Sequence, residues 1–214
     1  MNRSLALALL STLSAAGVAA DLHAVVRNDK GQAVAEAVVI AVPEVAPPKP
    51  PRPKLEQVEQ IDQEFVPRVK PVLVGSPVSF PNRDDVRHHV YSFSPAKRFD
   101  LPLYVGTPAK PVVFDTPGVV TIGCNIHDWM VGYIYVSESP YFATTGAEGR
   151  ADLTGLPAGR YTVRVWHPQL AGSEDATRRE ADLSADAAIE WALALKPEVR
   201  IRRTPAHGGR RGPY

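Results

Sequence analysis

Short runs in which apolar and polar residues alternate follow one another along most of the chain. Leu22, Ala24 and Val26 show this alternation near the start, and Tyr161, Val163 and Val165 show it towards the end. A period of two is typical of a strand with one buried face. Turn-forming residues separate the runs at positions 28–31, 75–77, 115–118 and 156–159. The pattern predicts an all-β chain, in which residues 21–42 form a hairpin.

The middle of the chain has the densest succession of such runs. Short apolar stretches occupy positions 72–74, 78–80, 89–93, 111–114, 119–122 and 131–136. Many short strands joined by turns are typical of a β-sandwich. We therefore expect residues 57–137 to form a sandwich of their own.

The flanks of this unit are too small to form separate sandwiches. Residues 21–42 supply about two strands, so we expect them to pair with strands of residues 138–197. Residues 43–56 are then a linker, because six of the eleven residues between 43 and 53 are prolines. Residues 57–137 become an insertion or an attached second sandwich; the alternative is one enlarged sandwich without a second core.

The two ends of the chain carry signals of another kind. Residues 1–20 combine an early arginine, an apolar stretch and a run of small residues, which predicts a secretory signal peptide. The alternative is an uncleaved anchor. No later segment is apolar enough to span a membrane, so the mature chain is expected without an integral membrane segment, in the periplasm of a Gram-negative host.

Residues 198–214 contain five arginines and are predicted to be a disordered tail, with contact to anionic lipid or an acidic partner as the alternative.

Composition makes the single cysteine informative. The net charge of +1 gives no reason to expect a nucleic-acid partner. Exported proteins usually use cysteines in disulfide pairs, yet Cys124 is the only cysteine. Met130 is the only methionine that remains after removal of the signal peptide, and His127 lies between these two residues. A lone exported cysteine is a free thiol, an intermolecular bridge or a metal ligand.

The spacing of Cys124, His127 and Met130 favours a metal ligand, and the metal it favours is copper. Thiolate and thioether suit reduced copper, and imidazole suits both oxidation states, so two imidazoles, one thiolate and a weak thioether form a one-electron site. Zinc is disfavoured because methionine is a poor zinc ligand. The second imidazole comes from His88 or His89, and only one of them can bind because adjacent strand residues point to opposite faces.

The stretch from Phe65 to Val136 resembles the cupredoxins, the Greek-key β-sandwich proteins of blue copper. The similarity is carried by positions 65–67 and Gly75, by the run Val78-Ser79-Phe80-Pro81-Asn82-Arg83-Asp84 ahead of His88, and by a Cys-x2-His-x2-Met loop like that of amicyanins. The segments around His88 and Cys124 are similar to bacterial methylamine utilization proteins. Residues 155–161 resemble transthyretin-like and carboxypeptidase-regulatory-like sandwich domains.

The resemblance implies one mononuclear type 1 copper site and a role as a one-electron carrier, not an enzyme. It assigns the first histidine ligand to His88, with Cys124, His127 and Met130 completing the set. Cupredoxins usually have asparagine where this chain has His89, and that asparagine pins the ligand loop. Asn82 or Asn125 is expected to pin the loop instead, with His89 next to the ligand. Trp129 is expected to shield the site or to lie where the electron leaves it. The implied partner is a c-type cytochrome or a dehydrogenase. The alternative is a periplasmic adaptor whose copper site senses or delivers the metal.

Overall fold

The computed structural model describes residues 19–46, 51–108 and 110–198. These residues form seventeen strands and one 3₁₀ turn, Glu174–Thr177, so the predicted all-β class is confirmed. The strands are β1 (Ala20–Asn28), β2 (Val38–Pro43), β3 (Glu56–Gln57), β4 (Glu59–Ile61), β5 (Glu64–Val66), β6 (Val69–Leu73), β7 (Ser76–Ser79), β8 (His88–Ser94), β9 (Lys97–Tyr104), β10 (Val112–Phe114), β11 (Gly118–Gly123), β12 (Val131–Ser137), β13 (Tyr141–Thr144), β14 (Arg150–Leu156), β15 (Arg160–Trp166), β16 (Arg179–Asp182) and β17 (Ala187–Leu193).

One pair of sheets is built from the two flanks of the chain. The first sheet has the strand order β14-β1-β17 and the second has the order β13-β2-β15-β16. The alternating residues of β1 and β15 that the sequence pattern marks as buried face each other between these sheets, and Trp191 of β17 closes the core. The strands of residues 21–42 are thus hydrogen-bonded to strands from the end of the chain.

The predicted hairpin at residues 21–42 is wrong. A turn does follow β1, and the chain returns far enough for a bridge between Arg27 and Ala33. Glu36 then adopts a left-handed conformation, with φ of 60°, and β2 continues in the opposite sheet. Val26 of β1 and Val39 of β2 belong to the same core, so the two strands face each other across it from different sheets.

A second pair of sheets is built from the middle of the chain. Its larger sheet has the order β6-β12-β11-β8-β9, and its smaller sheet has the order β10-β7-β3. The core between them includes Phe80, Phe114, Val120 and Ile134. β8 and β11 are neighbours in the larger sheet, so the start of β8 lies beside the loop that joins β11 to β12. This neighbourhood positions the candidate site.

The two sandwiches contact each other through the outer faces of two sheets. Val38 and Ile40 on β2 pack against Val69 on β6 and Tyr135 on β12. The Arg68 guanidinium bonds to Glu36 at 2.9 Å and to Glu198 at 2.8 Å, which ties the start of β6 to the other sandwich. The domain boundaries predicted from the sequence remain a prediction.

Several predicted segments lie outside the described residues. These are nearly all of the signal peptide, part of the proline-rich linker and, apart from Glu198, the basic tail. Within the described ranges, no helix has the length and apolarity that crossing a membrane requires.

Candidate metal centre

Residues 124–130 form a tight loop between β11 and β12. The Cys124 N–H donates to the carbonyl of Met130 at 3.3 Å, and the Met130 N–H donates to the carbonyl of His127 at 2.9 Å. These bonds fold the loop back on itself, because β11 and β12 are antiparallel neighbours that leave little distance to bridge. The Cys124 Sγ therefore lies 3.7 Å from the His127 Nδ1.

His88, the first residue of β8, faces this loop from the neighbouring strand. Its side chain is fully buried, and its Nδ1 lies 3.1 Å from the Nδ1 of His127. The ligand atoms of His88, Cys124 and His127 all lie within 4.8 Å of one another. The structure thus brings together three of the four residues predicted from the sequence as a potential metal-binding group.

His89 points away from this group. Its Nε2 lies 2.5 Å from the Oδ1 of Asp100, and its ring packs against Tyr91 at 5.3 Å between centroids. This orientation follows from the alternation of side chains along β8. Of the two histidines that the residue pattern left open, His88 is the one that faces Cys124 and His127.

Met130, the fourth predicted residue, lies at the end of the loop. Its side chain is 1% exposed and belongs to the same buried cluster as Cys124. A buried thioether beside a buried thiol fits both a core position and a metal ligand. Its role as the fourth ligand remains a prediction.

Three of the residues expected to support the ligands, Trp129, Asn125 and Asn82, have different surroundings. Trp129 packs against His127 with ring centroids 5.2 Å apart, whereas Asn125 is exposed. Asn82 donates from Nδ2 to the carbonyls of Val86 at 2.8 Å and Tyr104 at 2.9 Å. Asn82 thus holds the segment that leads to His88 and forms no bond with the 124–130 loop among those of the described residues.

The structure adds Asp84, which belongs to the cupredoxin-like run before His88 but was not expected to support the ligands. The Asp84 Oδ2 lies 2.7 Å from the Nε2 of His88. Burial alone raises the pKa of the Asp84 carboxyl, but hydrogen bonds from the Gln63 N–H, from His88 and from the Asp62 N–H outweigh it, so the pKa lies below its usual value. In the sequence, a carboxylate four residues before a histidine is only a weak signal of a supporting residue. The hydrogen bonds that hold this carboxylate come from a hairpin distant in sequence, which the local pattern does not show.

The group is buried except at one side. His88 and Cys124 are at most 3% exposed, whereas His127 is half-buried. Two apolar side chains in the segments that carry the histidines are also open to solvent: Val86 is 42% exposed and Ile126 is 49% exposed. The site therefore approaches the surface on the His127 side.

Comparison with known proteins gives structural neighbours only. No protein-family profile and no curated protein matches the chain. A purple cupredoxin from Nitrosopumilus maritimus is 26% identical over 38% of this chain and 99% of its own, with a TM-score of 0.35. A copper-containing nitrite reductase from Thermus scotoductus is 26% identical over 45% of this chain, with a TM-score of 0.38, and this chain spans only 25% of its length. A mutant of amicyanin in the oxidized state is 20% identical over 39% of this chain and 82% of its own, with a TM-score of 0.36.

The names of the first two neighbours state a cupredoxin and a copper-containing enzyme, and each of the three likenesses covers less than half of this chain. The finer resemblance to methylamine utilization proteins and that of the flanks to transthyretin-like domains remain predictions. The case for a metal centre rests on the side chains of the site.

Proposed function

We propose that this chain is an exported copper protein that carries one electron between redox partners. The observation that carries the proposal is the convergence of two imidazoles and one thiol, from His88, His127 and Cys124, on a single buried point. Met130, at the end of the same loop, is the proposed fourth ligand.

The donor set fits copper better than other metals. Nitrogen, nitrogen and sulfur donors accept both oxidation states of copper, and a weakly bound thioether tunes the reduction potential. Bound copper supplies reversible one-electron chemistry at this site. The chain supplies a rigid frame, since each residue of the group is fixed either by the β11–β12 loop or by the start of β8. A rigid frame limits ligand movement when the charge of the metal changes.

The surroundings of the site favour a carrier over an enzyme. His88 and Cys124 are shielded from solvent, which leaves little access for a substrate. Two cavities of the described chain, of about 420 and 680 Å³, are lined by residues of other regions, such as Tyr161 and Lys70, and by none of the four proposed ligands. Neither cavity opens on the group.

The proposed partner is another redox protein, a c-type cytochrome or a dehydrogenase. His127 is the most exposed of the four proposed ligands, and the exposed Ile126 beside it offers an apolar contact. Apolar side chains at the centre of an interface favour close approach of two proteins. The proposed location, the periplasm, rests on the signal-like residues 1–20.

Voltammetry of the copper-loaded mature chain tests the carrier role. We expect a reversible one-electron wave and a metal that stays bound to a competing chelator in both oxidation states. An irreversible wave, or rapid loss of copper to the chelator, would contradict the carrier role and favour copper delivery. Cys124→Ser is the matched control, because it removes the thiolate with almost no change in volume.

A further inference from the structure

We infer that Asp84 is a positioning residue for the copper site, which holds the proton of His88 on Nε2 and turns the Nδ1 lone pair towards Cys124 and His127. This inference rests on the proposed function, since it describes how the chain prepares one of the copper ligands. It adds a residue and a specific task to the four proposed ligands.

The Asp84 carboxylate is held by two backbone N–H groups from one turn. Asp62 donates to its Oδ1 at 2.7 Å and Gln63 donates to its Oδ2 at 2.8 Å. Both donors form the turn between β4 and β5, and both have left-handed backbones, with φ of 53° and 58°. Such a two-residue turn is common in β-hairpins. Here it fixes the position of a carboxylate from another part of the chain.

The same hairpin is joined to the segment that carries Asp84. The Gln60 N–H donates to the Pro81 carbonyl at 2.8 Å, and the Arg83 N–H donates back to the Gln60 carbonyl at 2.9 Å. The Arg83 side chain also bonds to Glu59 at 2.8 Å. The backbone N–H of Asp84 itself donates to the Asn82 side chain at 2.9 Å. Asp84 therefore has little freedom to follow His88 if the histidine moves.

The consequence for His88 is a defined tautomer. The His88 Nε2 is buried and lies 2.7 Å from the Asp84 Oδ2, which already accepts the Gln63 N–H, so Nε2 is the donor in this contact. The proton of neutral His88 is thus on Nε2, and Nδ1 carries the lone pair. That Nδ1 is the atom 3.1 Å from the Nδ1 of His127. A carboxylate behind a metal-binding histidine orients the ring and raises its basicity.

Nuclear magnetic resonance of the metal-free full chain tests the tautomer directly. Long-range proton–nitrogen spectra in mildly alkaline buffer are expected to show the His88 proton on Nε2 in the wild type. In Asp84→Ala, where the carboxylate is gone, we expect a mixture of tautomers. A wild-type His88 with its proton on Nδ1 would overturn the inference, and this holds even if the variant does not fold.

Copper affinity gives the second readout. We expect Asp84→Asn to weaken Cu(I) binding about 10- to 100-fold, because one amide cannot satisfy Asp62, Gln63 and His88 as two carboxylate oxygens do. Asp85→Asn is the matched control: it removes the same charge one residue away, at an exposed position, and should change affinity less than twofold. Equal affinity of Asp84→Asn and the wild type would contradict the positioning role.

The two levels of the proposal fail in different ways. A wild-type chain that binds no copper, or binds it without Cys124, overturns the proposed function. A wild type that binds copper through Cys124 while Asp84→Asn and Asp85→Asn behave alike overturns only the role of Asp84. Asp84→Glu, which keeps the carboxylate, should recover part of the lost affinity.

Discussion

At the scale of single residues, the site depends on the face of β8 to which each histidine side chain points. His88 and His89 are neighbours on β8, yet one ring lies against His127 and the other against Tyr91. The residue pattern predicted that only one of them binds metal, and the cupredoxin resemblance selected His88. Asp84 was not predictable in the same way, because its importance comes from a turn at residues 62–63 that is distant in sequence.

Replacement of each histidine by alanine, in separate variants, tests this orientation. We expect His88→Ala to weaken copper binding more than tenfold, because a buried imidazole is removed from the group. His89→Ala should leave binding and the visible spectrum of the copper form unchanged, because it removes contacts with Asp100 and Tyr91 and none with the metal-binding group. Isothermal titration with copper measures both affinities. Loss of binding in His89→Ala, with His88→Ala unaffected, would reverse the assignment.

At the scale of strands and turns, tight backbone approaches connect the elements. Gly149, in the turn before β14, has φ of 71°, and a Cβ there would lie 2.4 Å from the Val26 carbonyl oxygen. Gly31, in the turn after β1, has φ of 76° but open space around it. An alanine at Gly31 would therefore meet backbone strain alone, whereas an alanine at Gly149 would meet both backbone strain and steric overlap.

Alanine at these two glycines is expected to lower the free energy of unfolding unequally. Gly31→Ala should cost about 1 kcal/mol, the strain of a left-handed alanine. Gly149→Ala should cost more, about 3 kcal/mol or above, since the backbone must also shift away from the Val26 oxygen. Urea unfolding followed by circular dichroism measures the difference. Equal losses would show that the turn before β14 relaxes without cost.

Most strands were predictable from the sequence because alternation and turn residues are local signals. β8, β11, β12 and β15 lie at or near the apolar runs that marked them. The small size of the flanks led us to expect that residues 21–42 pair with strands of residues 138–197, but local patterns did not show that β1 pairs with β14 and β17 and not with β2. Local sequence patterns predict where strands lie, whereas the pairing of strands depends on which apolar faces pack together in the folded chain.

At the scale of the whole molecule, charged side chains at the contact between the two sandwiches influence the buried His167. His167 follows β15 and is 4% exposed. Burial lowers its pKa from the ordinary value of 6.5, and Arg68 lowers it further, while Glu36, a backbone bond with Ala35 and Glu198 act in the opposite direction. The folded protein thus holds His167 in its neutral form.

Stability is expected to fall in mild acid for this reason. The unfolded chain takes up a proton at His167 as the pH falls through about 6.5, whereas the folded chain takes it up only at lower pH. The loss in free energy of unfolding reaches at most about 1.4 kcal/mol per pH unit between these two pKa values. His167→Asn, whose Oδ1 takes the place of the His167 Nδ1 as acceptor for the Gln169 N–H, should flatten this part of the profile. A profile identical to that of the wild type would rule out His167 as the cause.

The most direct test of the copper centre is the spectrum of the Cu(II)-loaded mature chain. We predict an intense visible band from thiolate-to-copper charge transfer and an electron paramagnetic resonance signal with narrow copper hyperfine splitting. Cys124→Ser is predicted to lose the band, because the hydroxyl that replaces the thiol at the centre of the group is a poor electron donor to copper. A copper-loaded wild type that is colourless, or a band that survives in Cys124→Ser, would contradict the assignment of this site.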